Sequence, residues 1–224
     1  MLRPRVQFSF VALLGALGAF LVVTPLLGAA NEWRLVDAVL FLAVLGSSLR
    51  VVGRGGRQLL VAGAVALIGL ALEIGSGFGG HVSLSIAAHV IFASYLAFVV
   101  VALLSGILRV ERVTGDAIAG GACVYLLIGL LWGAVFTVLE LVQPGSYLQN
   151  GAPIVHQVHR PYGELLYFGY ITLTTVGYGD IVAATPIARM LAVLAALSGQ
   201  LYLAVFVAGL VGMVAAQSRA SRDR

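Results

Sequence analysis

Long apolar runs separated by short polar stretches dominate the chain. Six such runs can be counted, over residues 8–30, 35–52, 59–74, 82–108, 117–142 and 183–217. A helix needs about 20 mostly apolar residues to cross the hydrocarbon core of a bilayer. The pattern therefore predicts an all-α membrane protein with six transmembrane helices.

The second and third runs are short, and each contains or adjoins charged residues. Asp37 and Arg50 accompany the second run, and Arg57 and Glu73 accompany the third. Long arginine side chains can place their charged ends at the membrane surface while the stem stays in apolar surroundings. We therefore expect the charged ends of these two helices to lie at the interface.

The arginines predict the orientation of the chain. If every run spans the membrane, ten of the thirteen basic residues fall on one side: Arg3, Arg5, Arg50, Arg54, Arg57, Arg109, Arg112, Arg219, Arg222 and Arg224. The other side receives Arg34, Arg160 and Arg189. Since cytoplasmic loops carry the excess of basic residues, both termini are expected in the cytoplasm of a multi-pass protein of the cell membrane.

The first run admits a second interpretation, because Arg3 and Arg5, an apolar stretch and the small residues 28–30 resemble a cleaved signal peptide. The apolar region of a signal peptide is usually about 7–15 residues long. The run here is longer, which favours a retained helix. Cleavage would leave the C-terminus on the same side.

Composition agrees with a membrane protein and argues against other classes. Of the 224 residues, 61% are hydrophobic and 10% are charged, which is unlike a soluble domain. The net charge is +4, but the thirteen basic residues stand in groups of one to three between apolar runs, so no nucleic-acid-binding patch is indicated. The single cysteine, Cys123, cannot form an intrachain disulfide and is expected to be a buried packing residue.

One segment is neither a spanning run nor a short loop: residues 143–180, between the last two runs. It contains Pro161 and then a mainly apolar stretch, 162–173, that can form a helix of about three turns with proline at its start. This helix is too short to span the bilayer. Non-helical backbone at membrane depth is allowed only where it is buried in protein or lines a watery path, so we expect a re-entrant loop.

The sequence that follows this short helix is suited to binding a dehydrated cation. Carbonyl oxygens can replace the water shell of the ion if successive carbonyls point the same way, and glycine permits the backbone angles required. Gly177 and Gly179 alternate with Val176 and Tyr178, whose side chains would turn away from the ion. The hydroxyl of Thr175 would add one more oxygen, and the C-terminal end of the preceding helix favours a cation.

At these residues the chain resembles the potassium channel family, in particular its prokaryotic members with six helices and one TVGYG loop per subunit. The resemblance includes Thr172, Leu173 and Thr174 before the loop, and Asp180, Thr185, Pro186 and Arg189 after it. It implies a K⁺ selectivity filter at Thr175, Val176, Gly177, Tyr178 and Gly179, with Thr174, Asp180 and Tyr167 as supporting residues. Where some relatives have a glutamate in the short helix, this chain has Ile171.

The resemblance also implies the assembly and its division into parts. A single loop supplies a quarter of each oxygen ring, so four copies are expected in a closed ring. Residues 115–218 would form the pore domain, residues 1–114 a four-helix domain and residues 219–224 a short cytoplasmic tail. K⁺ would be the ligand that passes through, without an organic cofactor, covalent chemistry or a soluble ligand-binding domain.

The last run contains a candidate gating hinge, Gly199, and a candidate cavity residue, Gln200. Gly199 lies near its middle, where the family has a hinge glycine, and a glycine there serves either bending or close helix packing. Its neighbour Gln200 is expected to face the water-filled cavity.

The first four runs resemble a voltage sensor in number but not in charge. Run 82–108 contains no arginine, while Arg109 and Arg112 lie at its end. Because a sensor needs several arginines inside the field, voltage dependence is expected to be weak or absent.

Several polar residues keep two interpretations. Asp37, Glu73 and His89 are either a proton relay or pH sensor, or partners that satisfy one another inside the membrane. His156 and His159 are either a proton-sensitive element or ordinary solvated loop residues. The rival functions are a poorly selective cation channel and a non-conducting modulatory subunit; an enzyme is not indicated.

Overall fold

The computed structural model describes residues 10–27, 63–64, 68, 71, 82–107, 114–154 and 162–222. Five helices lie in these ranges: α1 (Phe10–Leu27), α2 (Val82–Ile107), α3 (Gly115–Val142), α4 (Tyr162–Leu173) and α5 (Pro186–Arg222). Three short strands accompany them: β1 (Tyr147–Gln149), β2 (Ala152–Pro153) and β3 (Ile181–Ala183). The fold of the described part is therefore mostly helical.

Three of these helices are long and apolar enough to cross a membrane, judged by length and composition: α2, α3 and the Pro186–Gly212 part of α5. Helix α1 contributes a shorter apolar stretch, Phe10–Val23. The second apolar run, and all but four positions of the third, lie outside the described residues. Six spans therefore stay a prediction.

Capping residues explain where two of the long helices begin. The Thr114 hydroxyl accepts a hydrogen bond from the Ala117 N–H at 3.2 Å, which satisfies one of the free donors at the start of α3. The Thr185 hydroxyl does the same for the Ala188 N–H of α5 at 3.3 Å. Pro186 follows as the first residue of α5, where its missing N–H costs nothing.

Helices α1 and α2 pack against α3 and share one apolar core with it. Buried members of this core come from all three helices: Leu13 and Leu17, then Leu96, Val99 and Leu103, then Val124, Leu127 and Leu130. The Phe10 N–H also donates to the Asp116 carboxylate at 2.7 Å, which joins the start of α1 to the first turn of α3. The two regions predicted as separate domains thus meet in a continuous core.

A three-stranded antiparallel sheet with strand order β2-β1-β3 lies between α3 and α5 in the chain. Gln149 of β1 is paired with Ala152 on one side and with Ile181 of β3 on the other. The prediction of an all-α fold omitted this sheet, since strands of two and three residues carry no alternating pattern. Asn150 and Gly151, both at positive φ, form the turn between β1 and β2, and this dipeptide is a strong hairpin signal.

An aromatic cluster joins α3, the sheet and α4. The rings of Phe136, Tyr147 and Phe168 lie with centroids 5.2–5.4 Å apart in tilted arrangements, and all three side chains are buried. Helices α3 and α4 also cross closely, because a Cβ at Gly133 would meet the backbone of Leu166. These contacts hold α4, and with it the loop that follows, in a fixed place.

Candidate functional site

The loop from Thr174 to Asp180 follows α4 directly, and its residues are exposed in the single chain. Residues with positive and negative φ alternate along this loop. The φ angle is 59° at Thr175, 56° at Gly177 and 84° at Gly179, whereas Val176 and Tyr178 are not at positive φ. Glycine adopts positive φ readily, but a residue with a Cβ is destabilised there by about 1–2 kcal/mol. The sequence indicated the two glycines and gave no sign that Thr175 shares their conformation.

The N–H groups of this loop point back toward the end of α4. Val176 and Gly177 both donate to the carbonyl oxygen of Ile171, at 2.8 and 3.2 Å, and Thr175 donates to the carbonyl of Thr172 at 3.0 Å. A backbone of alternating hand gathers successive N–H groups on one side. In such a backbone the carbonyl oxygens would face the opposite side, where they would line a path for a bare cation.

The threonine before this row is fixed by α4. Thr174 donates its backbone N–H to the Tyr170 carbonyl at 2.9 Å and its hydroxyl to the same oxygen at 2.7 Å. Tyr170 in turn donates its own hydroxyl to the Leu126 carbonyl of α3 at 2.7 Å. Thr174 is therefore anchored to the last turn of α4.

At the other end of the loop, the structure brings together the predicted pair Tyr167 and Asp180. The Tyr167 hydroxyl is hydrogen-bonded to the Asp180 side chain. The Asp180 carbonyl accepts the Asn150 N–H at 3.3 Å, so the sheet holds the same residue from a second direction. Ile171, which stands where some relatives have an acid, is buried and acts through its backbone carbonyl.

The hinge candidate and the cavity candidate lie at the base of the loop. Gly199 is buried against the end of α4, and a Cβ there would overlap the carbonyl oxygen of Leu173. Gln200 is exposed in the single chain, and its Nε2 donates to the Thr175 hydroxyl oxygen at 3.2 Å. For Gly199 this geometry favours close packing over bending, and for Gln200 it provides a direct contact with the candidate filter.

Sequence reasoning missed Glu140, whose carboxylate organises the approach to the sheet. It is fully buried near the end of α3 and accepts the N–H of Gly145 at 3.0 Å and that of Tyr147 at 2.9 Å. Burial, with the Glu140 charge as the second cause, raises the pKa of Tyr147, so this phenol stays neutral. A lone acid at the end of an apolar run followed by Pro144-Gly145 was the available signal.

Two further cross-helix bonds were also missed, and they leave no signature in a single sequence. Trp132 Nε1 of α3 donates to the Ser198 hydroxyl of α5 at 2.9 Å. The Tyr202 hydroxyl of α5 donates to the Gly121 carbonyl of α3 at 2.7 Å. Together they fix the two long helices to each other on both sides of the Gly199 contact.

Other predicted residues lie apart from this site or cannot be placed. His89 is buried in α2, where Nδ1 lies 2.9 Å from the Ser85 carbonyl oxygen and the ring lies 5.3 Å from that of Tyr162. Its expected partner Asp37, together with Glu73, His156 and His159, lies outside the described residues. Among residues that are described, no group of three or more His, Cys, Asp or Glu could hold a metal ion.

Comparison with known proteins agrees with this location of the site. Residues 121–216 match a family model described as "Ion channel". The chain is 33% identical over 98 residues to a two pore potassium channel c from rice, Oryza sativa subsp. japonica. That match covers 44% of this chain and 20% of the rice protein, so the chain spans only a fifth of this relative. No solved structure matches the chain.

The matched region includes most of α3, all of α4, the loop 174–180 and most of α5. It is the part of the chain that contains the loop of alternating φ, the sheet and the Gly199 contact. The match to the ion-channel model therefore covers the candidate site.

Proposed function

We propose that this chain is one subunit of a potassium-selective channel that conducts K⁺ passively across the membrane. The observation that carries the proposal is the alternating backbone of the loop, with N–H groups of Val176 and Gly177 gathered on Ile171. In this proposal the carbonyl oxygens of Thr175, Val176, Gly177 and Tyr178, with the Thr175 hydroxyl, replace the water shell of K⁺. Gly179 completes the filter, and Thr174, Asp180 and Tyr167 support it.

Four copies in a closed ring complete the site, since one loop provides a quarter of each oxygen ring. The surface of α5 agrees with this assembly. Large apolar side chains are exposed along it in the single chain, among them Met190, Leu194, Leu201 and Val205. Val176 and Tyr178 are also exposed, with 52% and 73% of their surface accessible. Surface of this kind needs lipid or neighbouring protein to cover it.

Potassium is favoured over other ions by two lines of support. The loop retains Tyr178 and Asp180, which poorly selective relatives of the resembled family alter. The similar rice protein is named as a potassium channel. The protein would thus lie in the cell membrane with both termini in the cytoplasm, would need no organic cofactor and would catalyse no reaction.

The experiment is reconstitution of the purified chain alone into liposomes, with K⁺ efflux and Na⁺ efflux measured in parallel and empty liposomes as control. We expect K⁺ efflux that exceeds Na⁺ efflux by at least about tenfold, a difference of about 1.4 kcal/mol between the two ions. Equal efflux of the two ions would establish a poorly selective cation channel. Absence of efflux from a correctly assembled protein would instead support a modulatory subunit.

A further inference from the structure

Three consecutive residues of α5 contact three different parts of the site. Ser198 accepts the hydrogen bond from Trp132 of α3, and Gly199 lies against the carbonyl oxygen of Leu173 at the end of α4. Gln200 reaches the loop itself, with Nε2 3.2 Å from Thr175 Oγ1. The first two contacts fix the helix, so Gln200 is held at a set distance from the base of the filter.

The chemistry of this bond determines how Thr175 can meet an ion. A threonine hydroxyl offers two acceptor lone pairs and one donor, and an amide nitrogen offers only donors. The Gln200 N–H therefore occupies one lone pair of Oγ1 and leaves the other for a cation. It also brings the positive end of the amide dipole next to an oxygen that would bind a positive ion.

From this geometry, we propose that Gln200 is a positioning residue that weakens the innermost cation site of the filter through its hydrogen bond to Thr175. The inference rests on the proposed function and extends it to a residue outside the filter sequence. Four copies of the amide would surround the inner entrance, each lowering the affinity of the hydroxyl ring for a cation. A weaker innermost site releases the ion more readily, and conduction requires that an ion bind and then leave.

The hydrogen bond from Gln200 has two opposing effects on cation affinity at this site. The larger effect decides whether the bond raises or lowers that affinity. Ordering of the Thr175 hydroxyl would strengthen the site, but threonine is β-branched and already stiff at χ1, so little order is gained. The N–H groups of all four subunits repel the cation, and this repulsion is larger for a divalent cation than for K⁺. Removal of the amide should therefore tighten cation binding at this site.

The test uses Ba²⁺, a divalent cation close to K⁺ in size, as the probe at the inner entrance. Single-channel K⁺ currents of the whole 224-residue chain are recorded in planar bilayers with Ba²⁺ added on the cytoplasmic side. Gln200→Met keeps the length of the side chain and removes the amide. Gln200→Asn keeps the amide but is one methylene too short to reach Thr175. Leu201→Met is the matched control on the same helix.

We expect both Gln200 variants to bind Ba²⁺ more tightly than the wild type, by at least about fivefold, since the hydrogen bond is lost in all four subunits and one ordinary bond alone accounts for about that factor. Leu201→Met should match the wild type. Unchanged Ba²⁺ affinity in either Gln200 variant overturns the inference, as does an equal shift in Leu201→Met. Failure of both Gln200 variants to assemble, judged by size-exclusion chromatography, also contradicts it, because the inferred role leaves the assembly intact.

The wild-type recording separates this inference from the proposed function. A wild-type protein that passes no K⁺ overturns both proposals. If the wild type conducts K⁺ and the Gln200 variants bind Ba²⁺ as the wild type does, the channel function stands. Only the inferred role of Gln200 is then wrong.

Discussion

Thr175 has φ of 59° although it is β-branched, and it is the residue where the candidate filter begins. Such a conformation is unfavourable by about 1–2 kcal/mol for a residue with a Cβ. The N–H bond from Thr175 to Thr172 and the Gln200 amide on the hydroxyl hold it there. The strain thus coincides with a residue whose hydroxyl would bind an ion in the proposed filter.

Gly177 provides a test of the backbone conformation without a steric clash. Within one subunit a Cβ at this position would meet nothing within 4 Å, so the effect of Gly177→Ala on the subunit itself comes from its φ of 56°. We expect about 1–2 kcal/mol of strain per subunit, a filter that abandons the alternating backbone, and a large loss of K⁺ flux. The measurement is K⁺ efflux from liposomes.

Gly163→Ala is the matched control, because this glycine lies in the first turn of α4 with open space around it and without positive φ. Alanine is favoured over glycine in a helix by about 0.5–1 kcal/mol, so this variant should conduct normally. Normal flux in Gly177→Ala would contradict the assignment of the filter.

At the scale of elements, the sheet and α4 hold the outer end of the loop, and Glu140 fixes the start of the sheet. Its carboxylate accepts two backbone N–H groups in a fully buried place. Glutamine would keep one acceptor oxygen and turn an NH₂ group toward the other N–H. Glu140→Gln should therefore destabilise each subunit by about 1–3 kcal/mol. The check is the Tm of the purified protein.

Glu164→Gln serves as the comparison for Glu140→Gln. The Glu164 carboxylate accepts a hydrogen bond from Gln149 Nε2 at 3.0 Å in a half-buried place, and a glutamine oxygen can still accept that bond. We expect a Tm close to that of the wild type. If the two variants lose the same amount of stability, the special role of Glu140 is wrong.

Gly199 offers the second test at this scale, since hinge and packing roles predict different results. Because a Cβ would overlap the Leu173 carbonyl oxygen, Gly199→Ala should force α5 away from α4 and lower stability by about 1–3 kcal/mol. Gly209→Ala on the same helix meets nothing within 4 Å and should leave the Tm nearly unchanged. An unaltered Tm with slowed channel opening in Gly199→Ala would favour the hinge.

The elements show what a single sequence can and cannot predict. Helix α4 was predicted at 162–173 and is present at Tyr162–Leu173, because Pro161 precedes it and its residues are apolar. Gly177 and Gly179 were expected to adopt backbone angles that other residues avoid, and both lie at positive φ. The supporting roles of Thr174, Asp180 and Tyr167 rest on the resemblance and stay a prediction.

The sheet was not predicted, since strands of two and three residues have no period and the Asn150-Gly151 turn was their one local signal. Glu140 was not predicted, since its role depends on the N–H groups that the fold brings to it.

At the scale of the whole molecule, the described part contains three helices able to span a membrane, around a core shared by α1, α2 and α3. The proposed four-helix region would need charges inside the field to sense voltage. Helix α2 contains none, and moving one charge through the field yields about 2.3 kcal/mol per 100 mV. Membrane voltage therefore has little to act on in this helix.

We accordingly predict that the conductance of the purified, reconstituted protein changes little between strongly negative and strongly positive voltages. Macroscopic recordings at symmetrical K⁺ would show a nearly linear relation of current to voltage with no steep activation. A steeply voltage-dependent conductance would refute this prediction and would point to charges in the regions outside the described residues.

The central claim is that four copies of one loop select K⁺ through their backbone oxygens. The most direct measurement is a density map of the purified protein in K⁺, with a second map in Na⁺ alone. We predict a fourfold ring with ion density on its axis between the carbonyls of residues 175–178 in K⁺, and loss or displacement of that density in Na⁺. A monomer or dimer, or an axis with the same density in both salts, would contradict the account.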